Sequence, residues 1–224
     1  MKNVFQLTQL ATRISVIVGS SVIISAPAFA NSCTVFSADG VCGLKEYQMT
    51  SPFSPVPTAW YFTSPTQETA INGTAKAQNI YFASGTSARN ESDIQQLLVD
   101  GANLNGYYIN ASKAGTAHIL LGNKASVDWI EAGGALTHTQ ISVDNATLNG
   151  ADADINYDQK DKNAAGNFSK NYARGNAIYL SPGDNGNTDI DITNGSSVHG
   201  RILAGGAGTH DITLQDSVIE AGSV

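Results

Sequence analysis

Two pairs of aspartates in this chain stand at the spacing that sets side chains next to one another on an extended backbone. Asp189 and Asp191 bracket Ile190, and Asp152 and Asp154 bracket Ala153; residues i and i+2 of a strand share a face. Paired carboxylates can do acid–base work on a sugar when their separation and pKa values are tuned. The plain alternative is that outward strand positions are simply polar, since a solvated aspartate is cheap there. No Gly-x-Ser-x-Gly nucleophile elbow accompanies them. The expectation is a chain that is not an enzyme, with no catalytic residues.

The remaining chemistry-bearing residues are few. His118 and His138 are 20 apart (138 − 118) and His199 and His210 are 11 apart (210 − 199), with no His-x-His or HExxH motif. They read as surface histidines, and no metal or cofactor is expected. Gly-Gly-x-Gly-x-Asp, the calcium-binding nonapeptide signature, is absent. Cys33 and Cys42 are the only cysteines, too few for a four-cysteine zinc site and not spaced as CxxC. Between them Ala38-Asp39-Gly40 is turn-forming and can bring two short arms together. A structural disulfide Cys33–Cys42 is therefore expected, restraining the unfolded chain by less than about 3 kcal/mol.

An oxidised pair presupposes export, and the N-terminus carries the signs of it. Lys2 and Arg13 precede an apolar run, Ile14–Ile24, and Ala28-Phe29-Ala30 supplies a small–x–small cleavage site. The run is shorter than the roughly 20 residues a bilayer demands and is broken by Gly19, Ser20 and Ser21. Residues 1–30 thus read as a signal peptide cut between Ala30 and Asn31. No later stretch is apolar enough for a membrane helix, and no series of alternating ten-residue barrel strands appears.

The 224 residues include 12 Lys+Arg against 19 Asp+Glu, a formal charge of −7. Removing Lys2 and Arg13 leaves 10 − 19 = −9 for the cleaved chain. This balance argues against a nucleic-acid partner, which would require a basic stripe. With 42% apolar and only 14% charged residues the chain is not disordered by composition. Its 22 glycines, together with abundant Asn, Ser and Thr, favour short strands and tight turns.

An internal repeat decides how such strands are arranged. Val99-Asp100-Gly101-Ala102-Asn103-Leu104-Asn105-Gly106 returns as Val143-Asp144-Asn145-Ala146-Thr147-Leu148-Asn149-Gly150, 44 residues later (143 − 99), and Leu121–Val127 lies midway. Ile192–Val198 and Leu214–Ile219 are again 22 apart (214 − 192). Each copy opens on an apolar–x–apolar pair: Ile119/Leu121, Ile141/Val143, Ile190/Ile192 and Ile212/Leu214. A corner of Asn, Asp or Gly follows, then a further apolar residue: Leu104, Val127, Leu148, Val198 or Ile219. Strand, corner, strand, corner at a fixed period is one coil of a parallel β-solenoid, about 22 residues per coil. Asn at the corners tolerates left-handed backbone and can form stacked ladders. Leucine-rich repeats need Leu at positions this chain leaves otherwise, and a β-sandwich has no fixed period.

The expected organisation is residues 31–94 as an irregular N-terminal cap and 95–224 as coils. The cap region holds Pro52, Pro55, Pro57 and Pro65 and the cluster Trp60-Tyr61-Phe62. Ile94–Val99 admits a helical turn or two at the boundary. Ile141 to Ile190 spans 49 residues, which is 22 + 27, or two coils plus 5; the polar stretch 156–176, with Lys160, Lys162, Lys170 and Arg174, reads as a loop thrown out from a coil.

A signal ending in Ala28-Phe29-Ala30, two close cysteines, and the runs VDGANLNG, VDNATLNG, ITNGSSVHG and ITLQDSVIEAG resemble the passenger region of Gram-negative autotransporters, of the pertactin-like and AIDA-like kinds. The resemblance covers residues 95–224 well and 31–94 poorly. It implies a right-handed parallel β-helix, surface display, and adhesion to host or neighbouring cell-surface molecules as the role. Some relatives of that kind are serine proteases with a Gly-Asp-Ser-Gly nucleophile; here the nearest string is Gly183-Asp184-Asn185-Gly186, which lacks the hydroxyl. The family's translocator barrel has no counterpart in this chain, which implies a fragment or truncation; a complete chain without it would be periplasmic. The last repeat, with Ile212, Leu214 and Ile219, should then present a bare apolar rim and a tendency to self-associate.

Overall fold

The computed structural model describes residues 14–16, 23–25, 33, 35–51, 54–82, 92–112, 114–132, 138–150, 175–180, 186–205 and 207–220. The signal cleavage site Ala30/Asn31, the pair Asp152/Asp154 and all of the 156–176 loop before Gly175 lie outside them. Among the described residues every element is a strand. Strands β1 (Ile14–Val16) and β2 (Ile23–Ser25) form a separate antiparallel ribbon. The other strands make two sheets between which the chain passes back and forth.

The first sheet runs β18 (His210–Leu214), β15 (Thr188–Thr193), β12 (His138–Asp144), β10 (Thr116–Gly122), β8 (Ile94–Asp100), β6 (Gln67–Asn72), β3 (Val41–Cys42). All neighbours are parallel except β3, which pairs antiparallel with β6. The second sheet runs from β19 (Val218–Glu220) through β16 (Ser197–His199), β13 (Thr147–Leu148), β11 (Ser126–Ala132), β9 (Asn103–Asn110), β7 (Ile80–Tyr81) and β5 (Ser54–Tyr61) to β4 (Lys45–Ser51). β14 (Asn176–Leu180) joins β11 and carries β17 (Arg201–Ala204) beside it. Only β4 is antiparallel to its neighbour here.

The register is the one the apolar pairs predict. Leu97, Ile119, Ile141, Ile190 and Ile212 are successive partners across the first sheet, and Val99, Leu121, Val143, Ile192 and Leu214 form a second row two residues on. Leu104, Val127, Leu148, Val198 and Ile219 do the same on the second sheet. All are at most 1% exposed except Ile212, Leu214 and Ile219, at 48%, 49% and 38%. These rows close one apolar core between the sheets. Because side chains alternate faces, a one-residue slip would turn every row outward, so burial fixes the register.

Three expectations are revised. Ile94–Val99 is no helical turn: it belongs to β8, fully in register with β10. Ile141 and Ile190 are direct partners, so the 49 residues between them are a single passage lengthened by 27, not two coils plus 5. Asn176, placed at the end of the polar loop, is instead the first residue of β14 and is buried. The parallel pairing also reaches below residue 95, since β6 pairs with β8 and β7 with β9.

The corners explain the Asn content. Gly101, Asn123, Asn145, Asn194 and Asp216 all have φ between 49° and 70°, the left-handed region that Asn, Asp and Gly enter most cheaply. Asn123 donates to the Asp100 carboxylate and Asn194 to that of Asp144, tying each corner to its neighbour. A second ladder joins Asn149 Nδ2 to Asn105 Oδ1 (2.7 Å), Ser126 Oγ (3.1 Å) and Asp128 Oδ1 (3.2 Å).

At the other end of the stack the aromatic cluster splits by strand alternation. Trp60 and Phe62 face the core, Phe62 stacked on Phe82 at 4.1 Å. Tyr61 faces the opposite way, within a run of ring contacts from Tyr47 through Tyr61, Tyr81 and Tyr108 to Trp129. The Cys33–Cys42 disulfide is formed, with Cα atoms 5.6 Å apart. It holds Phe36 against Ala70, Leu98 and Leu120 on the outer face of the first sheet.

Candidate functional site

Among the described residues, the outer face of the first sheet gathers Asp189, Asp191, Asp211, His118 and His138. Outward positions fall in rows as regular as the inward ones. One row reads Glu68, Gln96, His118, Gln140, Asp189, Asp211; the next reads Ala70, Leu98, Leu120, Ser142, Asp191, Thr213. The disulfide-bound segment covers the apolar part of the second row. What stays uncovered is a polar patch on β12, β15 and β18.

Asp189 and Asp191 do point outward from one strand, as their spacing predicts, with Ile190 between them buried. Two partners escaped the sequence reading. Asp211 is the direct neighbour of Asp189 on β18, and 189 + 22 = 211 would have found it. His138 Nε2 lies 3.3 Å from Asp189 Oδ2, reaching diagonally across from β12. No period exposes that contact, because it joins different rows.

The patch is electrostatically uneven. Burial, with Asp189 close by, raises the Asp191 carboxyl above its ordinary range, and a hydrogen bond from Thr213 offsets part of that rise. Burial also lowers His118 to about 4, and the nearby His138 pushes the same way. The His118 Nδ1 atom is enclosed and has no hydrogen-bond partner among the described residues. His118 is therefore a neutral imidazole at physiological pH, not the freely solvated surface histidine its sequence context suggests. His210 also departs from that expectation: its ring is half-buried at the edge of the core with both nitrogens enclosed. His199 does lie at the surface, its Nδ1 3.0 Å from Glu220 Oε2.

A carboxylate held by an imidazole, a second carboxyl with raised affinity for its proton, and a third opposite the first can exchange protons with a bound hydroxyl-bearing ligand. They can also hold such a ligand by hydrogen bonds without reacting. Among the described residues no group of three His, Cys, Asp or Glu is placed to hold a metal ion. Gly183–Asn185 of the protease-like string lies outside the described residues.

No protein-family model, curated protein or solved structure matches this chain.

Proposed function

We propose that the chain is a right-handed parallel β-helix of about 22 residues per coil that serves as a surface-displayed, non-enzymatic binding module of the autotransporter-passenger kind. One observation carries this reading: Leu97, Ile119, Ile141, Ile190 and Ile212 stack as direct parallel partners, in 22-residue steps but for the one lengthened passage. Such a stack builds a long rigid body from local units, and its outer rows present polar side chains to a partner at fixed spacing. The signal-like start and the oxidised Cys33–Cys42 pair accord with export to an oxidising compartment. Its partners are host or neighbouring cell-surface molecules. Labelling intact cells with a membrane-impermeant amine reagent tests the display. Lys45, Lys76 and Lys124 are exposed and should be modified on whole cells; protection until the cells are lysed would reject display.

A second reading, a carbohydrate-active β-helix enzyme, is favoured by the patch around Asp189. Asp189 and Asp211 are like charges directly opposite one another, an arrangement that costs stability in a sheet and sets two carboxylates side by side on the outer face. Three carboxylates would repel an acidic polysaccharide, so a neutral glycan suits the patch better. New reducing ends released from neutral glycans, and lost in Asp189→Asn and Asp191→Asn, would establish the enzyme.

A further inference from the structure

Strands β9 and β11 lose register between Val127 and Trp129. Leu104 pairs with Val127 and Tyr108 with Trp129, so Asn105, Gly106 and Tyr107 stand opposite Asp128 alone. A bulge of this kind turns groups of the longer strand out of the ladder. Gly106 takes φ +82° there, and a Cβ built on it would meet nothing within 4 Å. Its N–H donates to Asp128 Oδ2 at 2.9 Å, and Asp128 is buried. The side-chain carbonyl of Asn105 accepts from two donors, Ser126 Oγ and, at 2.7 Å, Asn149 Nδ2. Asn105 itself is exposed. A main-chain nitrogen bonded to a carboxylate thus adjoins, in sequence, an amide whose carbonyl oxygen is polarised by two donors.

We propose that Asn105 is a self-modifying site: the folded chain converts it to aspartate or isoaspartate, with water as the co-reactant. Gly106 N attacks Asn105 Cγ while its proton passes to the Asp128 carboxylate, a general base already at hydrogen-bond distance. The electron pair of the C=O bond moves to Oδ1, where Ser126 and Asn149 hold the developing charge. As that pair returns, the Cγ–Nδ2 bond breaks and Asp128 gives its proton to the departing nitrogen. Ammonia leaves and a cyclic imide remains. Water then opens the ring at either carbonyl, leaving aspartate or isoaspartate at 105. Two other Asn-Gly pairs show the contrast. Gly150 N and Gly195 N donate to main-chain carbonyls, those of Asp128 and Asp216. Asn149 and Asn194 use Nδ2 to donate to the carboxylates of Asp128 and Asp144, which enriches their amides in electrons and makes them poorer targets. At Asn105 the amide is engaged through its oxygen instead, which makes its carbon a better one. The product adds a negative charge that shares the Asn149 donor with Asp128, so modification should loosen this corner ladder. The inference rests on the bulge and its hydrogen bonds and is independent of surface display.

Peptide mapping by mass spectrometry, on the purified full chain aged at physiological pH and temperature, is the test. Asn105 should convert at least roughly tenfold faster than Asn149 and Asn194 in the same sample, and faster than Asn105 in the chain unfolded by urea. Asp128→Asn should slow Asn105 by roughly tenfold or more in the folded chain and leave its rate in urea unchanged. Ser126→Ala, which spares the base and removes one donor to Oδ1, should slow it by a smaller factor. Circular dichroism of both variants shows whether the sheets persist; should Asp128→Asn unfold, Ser126→Ala decides the case alone. Three results would each overturn the proposal: Asn105 converting no faster than Asn149 and Asn194, a rate that does not fall when the parent chain is unfolded, or a folded variant that ages as fast as the parent.

Discussion

Ile141 and Ile190 stand directly opposite one another on β12 and β15 although 49 residues separate them (190 − 141). Both are 1% exposed, and each fills the same level of the core as Ile119 before them. Truncating either to alanine removes buried methylenes and leaves a void that rigid neighbouring strands close poorly. We expect Ile141→Ala and Ile190→Ala each to cost about 2–5 kcal/mol. Ile212→Ala, in the same row but 48% exposed, should cost less than about 1 kcal/mol. Chemical denaturation of the three variants checks the ordering, and an equal cost at all three positions would contradict the burial gradient.

The insertion between those isoleucines leaves and rejoins the stack at one place. A Cβ on Gly150 would collide with His199 O and lie 3.7 Å from Gly200 Cα, and one on Gly200 would lie 2.9 Å from Gly175 O. Gly150 and Gly175 therefore flank the same short stretch of the next passage. Arg201 N also donates to Gly175 O at 2.7 Å. Replacing residues 151–174 by a short Gly/Ser bridge should preserve the strand content and a cooperative melt, since loop length changes closure entropy only slowly. Gly150→Ala should not be tolerated: its φ of +79° and the clash with a backbone oxygen leave no room for a methyl group. Loss of the sheet signal on loop replacement would show that the insertion is part of the core.

The left-handed corners give a sharper comparison. Asn145 has φ of 51°, where a β-branched side chain is held in a costly conformation. Asn145→Val should destabilise by about 1–2 kcal/mol, whereas Asn145→Gly should change stability by only a few tenths. Melting curves of the two variants separate backbone strain from the loss of the side chain. Equal destabilisation would assign the corner to hydrogen bonding instead.

How far the sequence reached can be traced through particular residues. The inward rows were legible because Ile119, Ile141, Ile190 and Ile212 repeat in period two locally and recur at matching corners. The Asn-rich turns were legible because only Asn, Asp and Gly enter that backbone region cheaply. Asp189 and Asp191 were placed correctly on their face by alternation alone. His138 was not found beside Asp189, since a diagonal contact depends on side-chain reach across strands and leaves no periodic mark. The burial of His118 was hidden for a different reason. It depends on how neighbouring strands crowd its ring, which no local pattern records.

That burial carries the last expectation. His118 has its pKa lowered from 6.5 to about 4, first by desolvation and then by His138. An unfolded chain takes up the proton near pH 6.5, while the folded chain resists it until about pH 4. Between these values the unfolded state binds more protons, so stability rises with pH and falls on acidification from 6.5 to 4. Asp191 acts in the opposite sense: its raised pKa makes the folded chain hold a proton longer than the unfolded one, so its share of stability is lost as pH rises through the folded value. His118→Gln, which extends the flanking Gln96 and Gln140 row, should flatten the acid side of the stability curve. Asp191→Asn removes that opposing contribution, so it should make the acid-side fall steeper and raise stability at neutral pH. Denaturation midpoints at half-unit steps from pH 4 to 7.5 measure both, and a His118→Gln curve that still falls below pH 6.5 as steeply as the parent would move the acid sensitivity to another group.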